Sequence, residues 1–518
     1  MAQPEPSFNL WNTPWITLEH PDGTLVEAGI EETLLRAGEF LTIYDPSPLI
    51  VVGIHRLLTA ILQDALDPQR LPDLRSLWAA GRFPEDKVQA FGKQYAHRFD
   101  LFSEDAPFLQ SADLPREPSK RARLKTATYL MPQMPAGSEV THYRHGAAED
   151  NVFCPTCVAR GLLTIPAFAT SGGAGIKPSI NGVPPIYILP GGDSLFESLV
   201  ASLMLADYQP QAASTTEDSV WWKREPVVEY KSMVHEVSYL HSLTFPARRV
   251  RLHPEPLHEP CSRCGRESVW GVRTMIYMMG ESRPKDVPFW FDPFAAYRIH
   301  SEKDPVPIRP LAGKAVWREF AALFLPSPDA DEAKDHTQPP TVLYQLAHEG
   351  LCDDLFIYPF RCIGMRTDMK AKVFEWIDAG FDVPVSLIHD FEGGEEVRQA
   401  LAFATDCARI ITGTFRKTFG GEGKTKHHET LRRRMEDAYW TALSAPFRSF
   451  VLTVAEPEMR ETARLTWVER VLTEAKQVFK DASEAVGSDA ASLRKRVTGR
   501  RICDIRLNKK RKEQMADE

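Results

Sequence analysis

Cys154-Pro-Thr-Cys157 and Cys261-Ser-Arg-Cys264-Gly265 are the stretches that decide how this 518-residue chain is organised. Each Cys-x-x-Cys places two thiolates on one tight turn, and together they supply the four soft ligands of a tetrahedral zinc ion. Residues 158–260 separate the pairs, too far for a local zinc ribbon, so a metal held there staples two distant segments of one domain. The other cysteines, Cys352, Cys362, Cys407 and Cys503, are scattered, and the N-terminus Met-Ala-Gln-Pro-Glu-Pro lacks a basic and then apolar leader, so a disulfide framework fits poorly. Neither pair opens a helix after a strand in a βαβ pattern, which argues against a thioredoxin-like redox role. The expectation is structural Zn2+ held by Cys154, Cys157, Cys261 and Cys264 in a reducing cytoplasm.

Bulk properties narrow the rest. At 43% apolar residues the chain can bury one large core and a smaller one, and a net charge of −8 excludes a uniformly basic nucleic-acid binder while leaving local patches open. The strongest apolar stretch, Leu49 to Leu66, is interrupted by His55, Arg56, Gln63 and Asp64, so no bilayer span is expected. Forty prolines, crowded into the first 390 residues, suggest a loop-rich α+β body.

Working along the chain, Trp15-Ile-Thr-Leu18, a Pro21-Asp22-Gly23 turn and Thr24-Leu-Val26 predict a hairpin. Ser47-Pro48 predicts a helix start, with Ile50, Ile54, Leu57, Leu58, Ile61 and Leu62 on the 3.6-residue period and Ser47 as its cap. His55 then belongs to a core helix rather than to a ligand set. Three stretches are irregular: 116–149, 166–192 with Ser171-Gly-Gly-Ala-Gly-Ile-Lys177, and 281–310 with Arg283, Lys285 and Trp290. Long loops inside a compact domain usually bind something. Beyond Gly393-Gly394 proline nearly vanishes and four amphipathic patterns follow, the last running through Leu493 and Val497. They predict a C-terminal four-helix bundle at 386–518 after a mixed α/β domain at 1–385. Arg494 to Glu518 holds ten Lys or Arg against four acids, either a solvated helix end or a surface for a nucleic-acid backbone.

Motifs that suggest an enzyme fail on inspection. Gly420-Gly-Glu-Gly423-Lys424-Thr425 has Thr418 where a phosphate-binding loop needs its first glycine, and it joins two predicted helices. The lysine of Ser171–Lys177 follows Ile176 rather than glycine, and His389-Asp390 lacks the further histidines of a metal-dependent hydrolase. No catalytic centre is expected.

With these residues set out, the chain resembles the CasA family, the large subunit of the type I-E CRISPR surveillance complex, Cascade. The likeness spans nearly the whole length: Asn12-Thr-Pro-Trp15-Ile16, Arg98-Phe-Asp-Leu-Phe102 with Pro107-Phe-Leu-Gln110, both cysteine pairs through Arg266-Glu-Ser268, the glycine-rich segment, and His428-Glu429-Thr430. Each is weak alone; their order and spacing are specific.

The resemblance implies a non-catalytic subunit that recognises a protospacer-adjacent motif (PAM) in double-stranded DNA through the minor groove. It further implies local unwinding for R-loop formation, partnership with the other Cascade subunits and crRNA, recruitment of a helicase-nuclease, a role in antiviral defence, and no membrane. Residue by residue, Gly172, Gly173 and Gly175 match the family's glycine loop, where bare main chain can approach base edges. Lys285 falls where the family has a minor-groove lysine, with Arg283 as a substitute. Where the family often has a wedge glutamine, Gly364-Met-Arg-Thr-Asp-Met-Lys370 offers Met369 or Lys370. Tyr143 and His145 map to the contact with crRNA and neighbouring subunits. The zinc then holds the glycine loop and the lysine segment in one frame. Two other classes stay open: a zinc-braced endonuclease, which needs a histidine cluster beside the cysteines, and a purely architectural subunit.

Overall fold

The computed structural model describes residues 5–115, 124–134, 150–171, 175–210, 220–284, 289–327, 335–351, 357–367, 373–420 and 426–516. They form two compact units, one of Met1–Pro310, Pro339–Leu351 and Pro359–Gly380, the other of Leu311–Gln338, Cys352–Tyr358 and Phe381–Glu518. The first mixes helices and short sheets, and the second is mainly helical towards the C-terminus.

The first unit is built around the helix Pro48–Leu66, buried along most of its length. Pro48 fills its first turn as expected, but the Ser47 hydroxyl makes no capping bond; the Ser47 amide instead donates to Asp45 Oδ1 at 2.8 Å. By length and a mean hydropathy of 1.6 this helix could cross a membrane, contrary to expectation, because its four polar residues do not break it. Here they face protein partners. His55 Nε2 lies 2.8 Å from Ser202 Oγ, and burial lowers the imidazole pKa to about 3, which fits a neutral core histidine. Arg56 pairs with Asp292 at 2.9 Å with both side chains fully buried. Gln63 donates to Met204 O and accepts from Met204 N. Gly53 lets the helix press against the main chain at Leu163, whose carbonyl oxygen would stand 2.5 Å from a Cβ.

The described residues also form small three-stranded sheets. The expected hairpin is present as Ile16–Glu19 and Leu25–Ala28, joined by Thr42–Ile43 on the other edge. Arg248–Pro256 and Trp270–Met279 pair from Arg248↔Met279 to Pro256↔Trp270 with a register shift between His253 and Pro254, and Leu124–Thr126 pairs on the other edge of Trp270–Met279. Strand Ile357–Thr367 pairs with Tyr187–Pro190 through Phe360↔Pro190 and Ile363↔Tyr187. Its other neighbour is Val373–Pro384, to which the ion pairs Arg361–Asp378 and Arg366–Glu375 tie it. The stretch 281–310 is not loop throughout: Tyr297–His300 and Lys303–Pro307 form a hairpin that Pro305 and Pro307 obscure in the sequence.

In the second unit the four predicted helices are Phe391–Phe419, Lys426–Val454, Arg460–Glu484 and Ala490–Ala516. The first touches each of the others. Tyr439 Oη donates to Ala404 O at 2.8 Å and Trp467 Nε1 to Ala400 O at 2.9 Å, while Trp317 packs against Trp440, Phe447 and Trp467. Asp390, weighed above as half of a His-Asp pair, is the N-cap of the first helix: its side chain accepts from Gly393 N. The last helix turns another face inward than expected. Leu493 and Val497 are exposed, at 52% and 63%, and Cys503 and Leu507 are buried.

Candidate metal centre and nucleic-acid interface

All four paired cysteines converge within the first unit. One sulfur from each of Cys154, Cys157, Cys261 and Cys264 lies within 4.8 Å of the others, with Cys154 Sγ and Cys264 Sγ 3.7 Å apart. A tetrahedron with metal–sulfur bonds of about 2.3 Å has edges of about 3.8 Å, so the cluster is a donor set able to hold a metal ion. Cys154 caps the helix Pro155–Leu162, which carries Cys157 one turn on. The second pair folds as a knuckle: Gly265 N donates to Cys261 O at 2.8 Å and Cys261 N to Arg266 O at 2.9 Å. That knuckle needs the left-handed backbone of Gly265, φ +71, which explains the glycine.

The surroundings orient the sulfurs. Cys154 N donates to Cys261 Sγ at 3.3 Å and Arg263 Nη1 to Cys157 Sγ at 3.7 Å. Arg263 also pairs with the buried Asp45, which Arg160 approaches at 3.5 Å from the other side. Arg160 and Arg266 share Glu27 of the N-terminal hairpin. As thiols the four cannot ionise alike. Hydrogen bonds to Cys154, Cys261 and Cys264 push the Cys157 thiol up, whereas accepting from Cys157 brings Cys264 down to about 6. A cation held by these four residues would replace that uneven sharing of protons with thiolate ligands.

From this cluster two runs of chain lead to the expected DNA-contacting segments. The first passes through the helices Pro155–Leu162 and Thr164–Phe168 into the glycine segment, and the second through the strand Trp270–Met279 to Arg283. They are linked near the cluster, where Phe153 and Val272 exchange main-chain hydrogen bonds of 3.1 and 2.8 Å.

At the far end the glycine segment is closed by a neck. Ser179 N donates to Ala169 O at 2.8 Å, and Ser179 Oγ donates to Pro166 O at 2.6 Å. The buried Arg248 guanidinium spans both ends, donating to Thr170 O at 2.6 Å and Lys177 O at 2.9 Å. Just beyond, Asn181 Nδ2 donates to Asp292 Oδ2 at 2.9 Å, tying the segment to the buried Arg56–Asp292 pair. A third stretch, 229–234, fills the space on the other side: Val234 N donates to Ser282 O and Ser282 N to Ser232 O, each at 2.9 Å.

Of the expected DNA contacts, Gly175 is exposed at the end of the neck with φ +80, a conformation that suits glycine. Arg283 is half-buried, its guanidinium 5.5 Å over the Phe289 ring, and burial lowers its pKa. Gly172, Gly173, Lys285, Met369, Lys370, Tyr143 and His145 lie outside the described residues. Arg248, Asn181 and Asp292 were missed in the sequence. Only Asn181-Gly182, a turn signal, hinted at any of them.

The fold and the cluster define a class: an α+β unit carrying a four-cysteine cluster, in one chain with a helical C-terminal region. Among known proteins, the family described as CRISPR-associated protein Cse1 matches residues 9–478, and the chain belongs to it. It is 30% identical to the CRISPR-associated protein CasA/Cse1 of Thermus thermophilus, over 94% of each chain. In fold it is similar to Cse1 from Acidimicrobium ferrooxidans, with a TM-score of 0.82 at 22% identity, covering 99% of both chains. A chain of a CRISPR RNA-guided surveillance complex superposes with a TM-score of 0.69 at 18% identity, over 93% of this chain and 100% of that one.

Proposed function

We propose that this chain is the non-catalytic large subunit of a type I-E CRISPR RNA-guided surveillance complex, assembled with the other Cascade subunits and crRNA. Its job is to recognise the PAM of target duplex DNA from the minor groove, promote local unwinding and R-loop formation, and help recruit the helicase-nuclease. The observation that carries the reading is a family member's glycine segment, closed at its neck beside a cation-bearing segment. Main-chain groups of Gly172, Gly173 and Gly175 would meet base edges there, Lys285 and secondarily Arg283 would enter the groove, and Met369 or Lys370 would part the first base step. Tyr143 and His145 are assigned to crRNA and subunit contact. The four cysteines would hold structural Zn2+, which supplies bracing and no chemistry. Residues 1–385 act as the DNA-recognition domain, and we read the helices of 386–518 as a four-helix bundle.

Binding of the assembled complex to closed and pre-opened duplex tests the reading. Lys285→Ala with Arg283→Ala is expected to weaken binding to closed duplex by tenfold or more, a loss of about 1.4 kcal/mol or more, with guide loading intact. Binding should recover on a duplex already open beside the PAM, since the bubble supplies what the contacts provided. Unchanged affinity on closed duplex overturns it.

A further inference from the structure

Resting on that reading, we infer that Lys231 and Lys177 form a second DNA contact beside the glycine segment, taking two backbone phosphates of the bound duplex rather than base edges. Lys231 has φ +57, a left-handed conformation that a long L side chain rarely adopts. The strained turn aims its ammonium at the visible end of the loop: Nζ would stand 3.3 Å from a Cβ on Gly175. Lys231 Nζ lies 5.1 Å from the exposed Tyr230 ring centroid, and among the described residues it makes no ion pair. Lys177, at the other foot of the neck, is exposed and rests its Nζ 3.5 Å from Met233 Sδ.

The two cations are therefore mounted, not loose. Arg248 fixes the Lys177 carbonyl, and the hydrogen bonds of Ser232 and Val234 with Ser282 fix the turn that carries Lys231. They flank the one glycine of the loop that the structure describes. A duplex whose groove edge met Gly175 would bring its phosphates alongside them. Compact, strongly hydrated ammonium groups suit phosphate oxygens, which position a duplex without reporting its sequence.

The salt dependence of duplex binding by the assembled complex distinguishes this contact. Each phosphate neutralised contributes about 0.9 to the slope of log affinity against log salt. Lys177→Ala with Lys231→Gly, the glycine chosen because it accepts the left-handed backbone, should lower that slope by about 1.8. Affinity should fall by the same factor on duplexes with and without the PAM, and Lys177→Arg with Lys231→Arg should restore the slope. An unchanged slope, or a loss confined to PAM-bearing duplex, overturns the assignment while leaving the glycine-loop reading standing. A complex lacking this chain that binds duplex as well as the complete one removes the reading itself.

Discussion

The four cysteines hold the start of two runs of chain and the Arg248 neck holds the far end of the first, by unlike means. At one end the grip is a compact donor set, with sulfurs within 4.8 Å of each other and able to hold a metal ion. At the other it is spread over several hydrogen bonds, from Arg248 and Ser179 to carbonyls and from Asn181 to a buried carboxylate. The difference teaches that bracing the loop and shaping the loop are separable. The cluster fixes where the runs begin, and the neck fixes the form in which the glycine segment is presented.

Removing the cluster should have the largest effect. Cys154→Ser with Cys261→Ser leaves two sulfurs, and metal content followed by denaturant unfolding should show loss of the ion and destabilisation on the order of 5–10 kcal/mol, the lower end or below of what structural zinc contributes in small domains. If chelation and the double variant both leave unfolding unchanged, the cluster is no brace. Next comes the buried pair beyond the neck. Asp292→Ala strands Arg56 as an uncompensated buried charge, which should cost about 3–5 kcal/mol in the same assay; a milder loss means that solvent reaches Arg56. Smallest is the neck itself. Arg248→Met keeps the bulk but leaves the Thr170 and Lys177 carbonyls without their donor, for about 2–3 kcal/mol. Here the sharper readout is amide exchange, which should rise at residues 175–179 while the helix Pro155–Leu162 stays protected. Equal loss of protection in both would merge the two grips into one.

How much of this was legible follows from the physics of each contact. The cysteine cluster was readable because its ligand type and spacing carry the chemistry, whatever fold brings the pairs together. The helix Pro48–Leu66 was readable from Pro48 at its first turn and from its apolar run, although it is buried on every face rather than only on the one its periodicity marks. The neck was not. Arg248 is one of several arginines in its strand, and its acceptors are main-chain carbonyls 71 and 78 residues away, which no side-chain pattern announces. Lys231 owes its place to a backbone conformation that lysine does not signal. The last helix misled because its buried stripe runs through Gly499, Cys503 and Leu507 while its more conspicuous apolar residues, Leu493 and Val497, face solvent.

One property of the neck reaches beyond this chain. Its acceptors at Pro166, Ala169, Thr170 and Lys177 are all carbonyl oxygens, which every amino acid supplies in the same form. The mount is therefore indifferent to what the loop displays, like a socket that takes any bulb of the right base. Residues between its feet can be exchanged, and the fitting that holds them need not be rebuilt each time.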